Sequence, residues 1–410
     1  MDKPIFELTN QQRACFGIEP VEAHWELIQL NPSPYDTDTS YAYVEGVRIH
    51  KYFRVSETSY VEFSMNEMLS DDRKYILPKT EKGKPVKLSA ATLGKKTPIG
   101  MVFAWSREYL NIYSTTSEQN YYCSSAELPD LSLKTFPEFV AWLDKWCAET
   151  TAEDLADIQA FAARPRVHQK YREGDFFRYR INRRHWAYGR ILFNYDRLRK
   201  EKVEFWDVFF GKPLVVAVYR TMTDEPMDDI EQLAGLPMLP SQLIMDNHFY
   251  YGEAEIIGNK PLTPEEEDYP IHYGRSKNAR EKVLYLQCGR LYRKIEDGKP
   301  LVSPEDKGPL SLFDFSFCDI GWNIHVRIPI LKACIRENSN RPYWEQPHFA
   351  SNQYDLRNPK LKAEREAVFR QFGLNAADYV RDESAAGKEN VPAPTDTPTK
   401  KSFFNIFKEK

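Results

Sequence analysis

The sequence has no long apolar run and almost no net charge. No uninterrupted apolar stretch approaches the roughly 18 residues that a membrane-spanning helix needs. Lys plus Arg total 56 against 60 Asp plus Glu, which gives a net charge of -4 over 410 residues. A general nucleic-acid binder needs a basic surface to displace counterions from phosphates. The residues therefore predict neither a membrane span nor a nucleic-acid partner.

Signals for secretion and for cysteine-based structure are also missing. The N-terminal stretch MDKPIFELTNQQ has no basic segment followed by an apolar one, so we expect no secretory signal. There is no C-x-x-C pair, and the six cysteines are widely spaced: Cys15, Cys123, Cys147, Cys288, Cys318 and Cys334. This spacing is typical of neither a disulfide framework nor a zinc finger, and it fits a reducing compartment. We expect a cytoplasmic protein.

Motifs for covalent catalysis and nucleotide binding are absent too. The sequence has no G-x-S-x-G elbow and no G-x-x-x-x-G-K-[ST] phosphate loop. Cys288 and Cys334 lie in apolar stretches that we interpret as strands, where cysteine is normally a small buried hydrophobe. We therefore expect no cofactor and no nucleophilic site.

Two weaker chemical possibilities stay open. A hydrolytic metal site needs about three nitrogen or oxygen ligands, and the candidates for it are Asp246, His248, His272 and His325. Asp207 and Asp319 lie among aromatic residues, where desolvation raises a carboxyl pKa and favours acid–base chemistry. The alternatives are satisfied histidines on strands, and aspartates that end a strand or pair with Arg190 or Arg220.

What the chain does have is apolar and aromatic content for a large core. Apolar residues make up 42% and aromatic residues 14% of the sequence, typical of a globular protein. The length favours more than one domain. The pattern predicts an α+β protein, predominantly antiparallel β, with two β-rich domains joined by a helical connector and followed by a C-terminal helix and a disordered tail.

Changes in pattern set the predicted boundaries. Residues 1–128 have alternating β-like stretches after a short helix capped by Thr9. Residues 129–165 form a helical connector, in which Phe139, Leu143 and Trp146 fall at the spacing of one helical face. Residues 166–345 are again rich in strands. Residues 346–383 are helical, and an apolar docking side is predicted for Val368, Phe369 and Phe372. Residues 384–410 are rich in Pro, Thr and Ala and end in an apolar tip.

The stretch WAYGRIL places three large side chains on one face of a strand. By the period of two, Trp186, Tyr188 and Arg190 share this face, and Ala187, Gly189 and Ile191 share the other. The large residues either fill the core, with Arg190 at its edge, or point outward as a contact patch.

The order of motifs from residue 174 onward is similar to that of a known family. The motifs are GDFF (174–177), WAYGRIL (186–192), FWDVFFGKPLVV (205–216), IIGNKPL (256–262) and YPIHYG (269–274). Together they resemble the immunity protein 26 family over roughly residues 168–345. The resemblance implies an all-β domain that binds and neutralises a toxin of a bacterial polymorphic system, without catalysis of its own. Some relatives carry the label phosphotriesterase, so a metal-dependent hydrolase is the alternative.

The resemblance also suggests where a partner binds. Contacts with a protein favour aromatic and arginine anchors, and the candidates are Trp186, Tyr188, Arg190, Asp207 and Trp322. A second partner, or an adaptor role, is possible for the tail tip, through Phe403, Phe404, Ile406 and Phe407. The tract PLSLFDF (309–315) is either a short docking peptide or a strand.

Overall fold

The computed structural model describes residues 3–32, 37–107, 109–204, 212–275, 283–301, 320–321, 327–336 and 355–380. The α-helices in these ranges are α1 (Asn10–Cys15), α2 (Ala90–Leu93), α3 (Phe136–Glu149), α4 (Ala152–Ala163), α5 (Tyr195–Lys200), α6 (Ile230–Ala234), α7 (Asn247–Tyr250), α8 (Ile328–Arg336) and α9 (Lys362–Gln371). The fold is α+β and mostly antiparallel, as the sequence predicts.

In the described part of the chain, the first sheet has nine strands in the order β1-β2-β3-β4-β7-β8-β9, with β5 on β4 and β6 on β5. Every pairing in it is antiparallel. Its strands are β1 (Glu26–Gln29), β2 (Thr39–Glu45), β3 (Arg48–Ser56), β4 (Ser59–Leu69), β5 (Tyr75–Leu77), β6 (Val86–Lys87), β7 (Ile99–Ser106), β8 (Tyr109–Ser114) and β9 (Gln119–Cys123).

Helices α3 and α4 pack on one face of this sheet. In α3, Phe139, Leu143 and Trp146 are buried at the predicted helical spacing. The ring of Phe139 stacks on Trp105 of β7, with 4.3 Å between centroids. Fully burying an aromatic side chain of this kind stabilises the fold by roughly 1.5–3 kcal/mol. The apolar side of the predicted connector therefore belongs to the first core.

The helix ends follow the sequence signals. Thr9 caps α1 in a capping box with Gln12, and Thr151 caps α4 in the same way with Asp154. The C-terminal end of α4 comes at Ala163, two residues before Pro165, which cannot continue a helix.

A buried ionic cluster fixes the N-terminal segment to the sheet. Glu62 of β4 is fully buried and accepts a hydrogen bond from Nε of Arg13, at 2.7 Å. Nζ of Lys51 lies 3.3 Å from the same carboxylate and donates to the carbonyl of Glu19, at 2.8 Å. Burial lowers the pKa of Lys51, and the Glu62 carboxylate opposes that shift.

The second sheet has the order β14-β10-β11-β12-β13-β18 within the described ranges. Its strands are β10 (Asp175–Asn182), β11 (His185–Asn194), β12 (Pro213–Thr223), β13 (Gln242–Met245), β14 (Ala254–Asn259) and β18 (Ile320–Gly321). All pairs are antiparallel except β13 with β18, which is parallel.

A third, antiparallel sheet lies in the order β15-β16-β17. Its strands are β15 (Ile271–Arg275), β16 (Val283–Cys288) and β17 (Leu291–Glu296). Val368 and Phe369 of α9 are buried against it, and Phe372 packs partly on the same cluster. This confirms the predicted docking side of the C-terminal helix.

One strand prediction is wrong. The apolar run that ends in Cys334 forms the helix α8, not a strand. Ile328, Leu331 and Cys334 recur every third residue and are all buried, which is the period of a helix face. Branched residues in the run favoured the strand interpretation. Cys334 is a buried residue as expected, but it lies on a helix.

Among the helices that the structure describes, none combines the length and the apolar composition needed to cross a membrane.

Candidate partner-binding groove

The β10–β11 hairpin carries the three large residues that the sequence places on one strand face. In its register, Arg178 lies opposite Tyr188, and Arg180 lies opposite Trp186. Tyr188 and Trp186 do share a face. Their exposure differs, because other segments cover part of this face.

Tyr188 and Arg190 are buried, which corrects their prediction as partner contacts. Tyr188 has no exposed surface, and its hydroxyl accepts a hydrogen bond from the backbone N–H of Met227 at 2.9 Å. Arg190 is 1% exposed and pairs with Glu266 at 3.0 Å. Its guanidinium lies 4.1 Å from the ring centroid of Phe176. Both side chains fill the core, because the segment around α6 and the loop after β14 cover this face.

Trp186 is half-buried at the outer end of the same face. The guanidinium carbons of Arg178 and Arg180 lie 5.6 Å and 4.8 Å from its ring centroid. Arg180 also pairs with Asp157 of α4, at 2.7 Å. The tryptophan is therefore held rigidly where the hairpin meets α4.

A groove of about 500 Å³ lies beside the hairpin turn. Helix α3 forms one wall, and residues 182–185 of the turn form the other. We call it the hairpin groove, defined by Glu127, Trp142, Trp146, Asn182, Arg183, Arg184 and His185. Aromatic and arginine side chains with polar groups around them are typical of protein-binding surfaces.

The two arginines of the turn are held in place by α3 and α4. Arg183 lies 3.9 Å from the ring centroid of Trp146 and donates to the hydroxyl of Thr150 at 2.8 Å. Arg184 pairs with Asp154 and donates to the carbonyl of Glu149 at 2.6 Å. Because these contacts already order the turn, it loses less conformational entropy when a partner binds.

The pairing with Arg184 changes the pKa of the Asp154 carboxyl. Burial alone would raise its pKa, but the hydrogen bonds from Arg184 and from the backbone of Thr151 lower it to about 2. Burial in turn lowers the pKa of Arg183. The hydrogen bond to Asp154 raises the pKa of Arg184, so the ion pair between these two side chains is fully charged at neutral pH.

A short chain of polar groups crosses the groove. Asn182 donates to Glu127 at 3.3 Å, and its amide oxygen lies 2.8 Å from Nδ1 of His185. The backbone N–H of Arg184 donates to the same amide oxygen at 3.0 Å. That oxygen is an acceptor, so Nδ1 of His185 carries the hydrogen.

The groove favours the neutral forms of Glu127 and His185. Burial raises the pKa of Glu127. Burial, and next the charge of Lys332, lowers the pKa of His185. Shifts of this kind are found at functional sites.

The structure does not bring the described metal candidates together. Asp246 accepts a hydrogen bond from Tyr171 at 2.9 Å, and Nδ1 of His248 lies 2.6 Å from Glu253. His272 is buried on β15, in the third sheet. Among the residues that the structure describes, no three His, Cys, Asp or Glu side chains are grouped as for a metal ion.

Several predicted residues lie outside the described residues: Asp207, Trp322, His325, Asp319, the tract 309–315 and the tail residues Phe403, Phe404, Ile406 and Phe407. Of the predicted partner contacts that are described, Trp186 alone keeps exposed surface. Trp142, Arg183 and Arg184 were missed, because a strand pattern does not show which helix packs beside a turn.

Comparison with known proteins gives one match. Residues 172–283 match the model of the family immunity protein 26. The match starts three residues before β10 and ends at the first residue of β16. It covers about a quarter of the chain, includes the hairpin and one wall of the groove, and agrees with the resemblance seen in the motifs. No curated protein and no solved structure matches the chain.

Proposed function

We propose that this protein is an immunity protein that binds and neutralises a protein toxin of a bacterial polymorphic system, without chemistry of its own. The observation that carries the proposal is the family match over residues 172–283, the segment that holds the β10–β11 hairpin. A toxin is neutralised by a surface that blocks it, and such a surface needs complementarity and not a reacting group. The proposed place of action is the bacterial cytoplasm.

The hairpin groove is the proposed contact surface. Trp142 is half-buried and Trp146 supports Arg183, so the groove offers aromatic and arginine anchors together. Arg184 keeps 43% of its side chain exposed while it is paired with Asp154. Anchors that are already ordered before binding lose little entropy in the complex. Trp186 lies close by as a further anchor, and the buried Tyr188 packs in the same apolar cluster.

We also propose a role for the first part of the chain. Residues 1–128 and the helical residues 129–165 form a platform, and residues 166–345 form the immunity domain, which is followed by the C-terminal helical segment 346–383 and the tail 384–410. Support comes from the ion pairs of α4 with the hairpin, Asp154 to Arg184 and Asp157 to Arg180. In this division the platform supplies one wall of the groove and fixes the hairpin turn.

The test is rescue and binding with the toxins encoded beside the gene. Co-expression of the full chain should restore growth of cells that make one of these toxins, and the purified proteins should form a complex. Replacing Arg184→Glu should weaken that complex by roughly tenfold or more, because it reverses an anchor charge. The matched control is Arg73→Glu, an exposed arginine paired with Glu26 in the first sheet. Failure of every neighbouring toxin to bind would exclude the proposed function.

A further inference from the structure

The segment between α4 and β10, residues 164–174, runs along the edge of the second sheet. The side-chain oxygen of Gln169 accepts a hydrogen bond from the backbone N–H of Ile256 in β14, at 3.4 Å. The hydroxyl of Tyr171 donates to Asp246 at 2.9 Å, and its ring packs on the core of this sheet. Gln169 and Tyr171 therefore face inward, and the residues on either side of each face outward, which is the alternation of an extended chain.

Basic residues occupy the outward positions of this segment. We call them the basic strip, and they are Arg166, His168, Lys170 and Arg172. All four side chains are exposed. Alternate residues of an extended chain recur every 6.6–6.8 Å, so the strip is roughly 20 Å long. It therefore offers three permanent positive charges and one histidine in a row.

Carboxylates of the protein offset the charge only at the two ends of the basic strip. Arg166 pairs with Glu118 at 2.9 Å, and Arg172 lies 3.6 Å from Asp175 while its side chain stays 75% exposed. Within the ranges that the structure describes, His168 and Lys170 form no ion pair with a carboxylate. The middle of the strip and the exposed guanidinium of Arg172 are therefore available to an acidic partner.

Tyr250 orders the first half of the basic strip. The guanidinium carbon of Arg166 lies 5.1 Å from the centroid of the tyrosine ring, and the ring of His168 lies 5.1 Å from it on centroids. The tyrosine is itself 42% exposed. Side chains that are ordered before binding lose less conformational entropy in a complex.

We propose that the basic strip binds an extended acidic segment of a partner protein, in which carboxylates recur at every second residue. Such a segment repeats every 6.6–6.8 Å, roughly the spacing of the strip, so each carboxylate lies opposite one basic side chain. The arginines at the ends bind carboxylates through two N–H groups at once. A short acidic segment needs only the strip, whereas a nucleic acid would also face the rest of a protein whose net charge is -4.

This inference goes beyond the proposed function. The basic strip lies outside the residues that line the hairpin groove, and residues 166–171 precede the family match. Binding of a toxin in the groove and binding of an acidic segment on the strip are therefore measured separately, and failure of one leaves the other standing.

The experiment is a fluorescence-anisotropy titration of a dye-labelled peptide of four Asp-Thr repeats with the full chain. We expect binding that weakens by about tenfold when the ionic strength rises from about 0.01 M to about 0.15 M, because salt screens exposed charges. A peptide of four Asn-Thr repeats has the same length and no carboxylate, and it should not bind.

A double variant locates the binding on the strip. Lys170→Ser combined with Arg172→Ser should weaken the binding of the Asp-Thr peptide by about tenfold, because two exposed ion pairs are lost. The matched control is Lys82→Ser combined with Lys84→Ser, which removes two exposed lysines at the same spacing from a loop in the first part of the chain. It should leave the affinity unchanged.

Three outcomes overturn the proposal. They are no binding of the Asp-Thr peptide, an equal loss of affinity in the two double variants, and tighter binding of an oligothymidine of equal length on the same strip. Lys170 and Arg172 are exposed, so we expect their variant to keep the circular dichroism spectrum of the wild type. The wild-type chain with the two peptides gives a decisive result without any variant.

Discussion

The guanidinium carbon of Arg183 lies 3.9 Å from the ring centroid of Trp146. This contact joins the turn of the hairpin to α3, the two walls of the groove. The arginine side chain is 7% exposed, and its Nη1 is hydrogen-bonded to Thr150. The turn is therefore rigid where the proposed function needs a preformed surface.

A double-mutant cycle measures that contact. With Arg183→Met and Trp146→Leu, we expect a coupling free energy of about 1–2 kcal/mol, since the cation–π pair is largely desolvated. Chemical unfolding of the four proteins gives the value. The control cycle combines Trp146→Leu with Arg172→Met, because the side chain of Arg172 is 75% exposed. The coupling free energy of this second pair should be close to zero. Equal coupling in both cycles would contradict the contact.

The buried ionic cluster should dominate the stability of the first part of the chain. Glu62→Gln leaves Lys51 buried without its carboxylate and Arg13 with that of Glu7 alone. We expect a loss of about 3–5 kcal/mol in the free energy of unfolding. Glu45→Gln is the control, because that carboxylate is half exposed and pairs only at the surface. Its effect should stay below about 1 kcal/mol. A similar loss in both variants would be inconsistent with the cluster.

The pH dependence follows from Asp154. Its folded pKa, about 2, lies below its ordinary value of 3.8, so its contribution to stability is complete above pH 3.8 and is lost as the pH falls toward 2. Near the surface, solvent screens the pair with Arg184, and we expect about 1–2 kcal/mol. The free energy of unfolding of the wild type should exceed that of Asp154→Asn at neutral pH, and this difference should vanish near pH 2. A difference that does not change with pH would contradict this account.

The hairpin should not tolerate a side chain at Gly189. A Cβ there would lie 2.2 Å from the ring of Phe177 and 2.7 Å from the carbonyl oxygen of Ala217. We expect Gly189→Ala to destabilise the fold by about 1–3 kcal/mol. At Gly235 the nearest atom to an added Cβ is 3.7 Å away, so Gly235→Ala should have little effect. Thermal unfolding of the two variants checks the difference.

The sequence predicted the helices and strands better than the packing contacts between them. The spacing of Phe139, Leu143 and Trp146 identified α3, and the alternation in WAYGRIL identified β11, since both patterns depend on local geometry. The same alternation left open whether Tyr188 pointed to the core. That depended on the segment around α6, which is distant in sequence and covers the face.

The groove could be predicted only in part. The strand alternation singled out Trp186 next to the turn, but Glu127 and Trp142 come from segments some 40–55 residues earlier in the chain than the turn. The helix α8 shows the opposite error, because branched residues led to a strand interpretation although Ile328, Leu331 and Cys334 had helical spacing.

The central claim is that the hairpin groove binds a toxin. Hydrogen–deuterium exchange of the full chain, with and without the toxin that it rescues, tests this most directly. We predict slower exchange in residues 182–186 and in the exposed turns of α3 (Phe136–Glu149), with little change in α9 (Lys362–Gln371). A complex that forms with unchanged exchange in the hairpin turn and α3, and with protection elsewhere, would contradict the account.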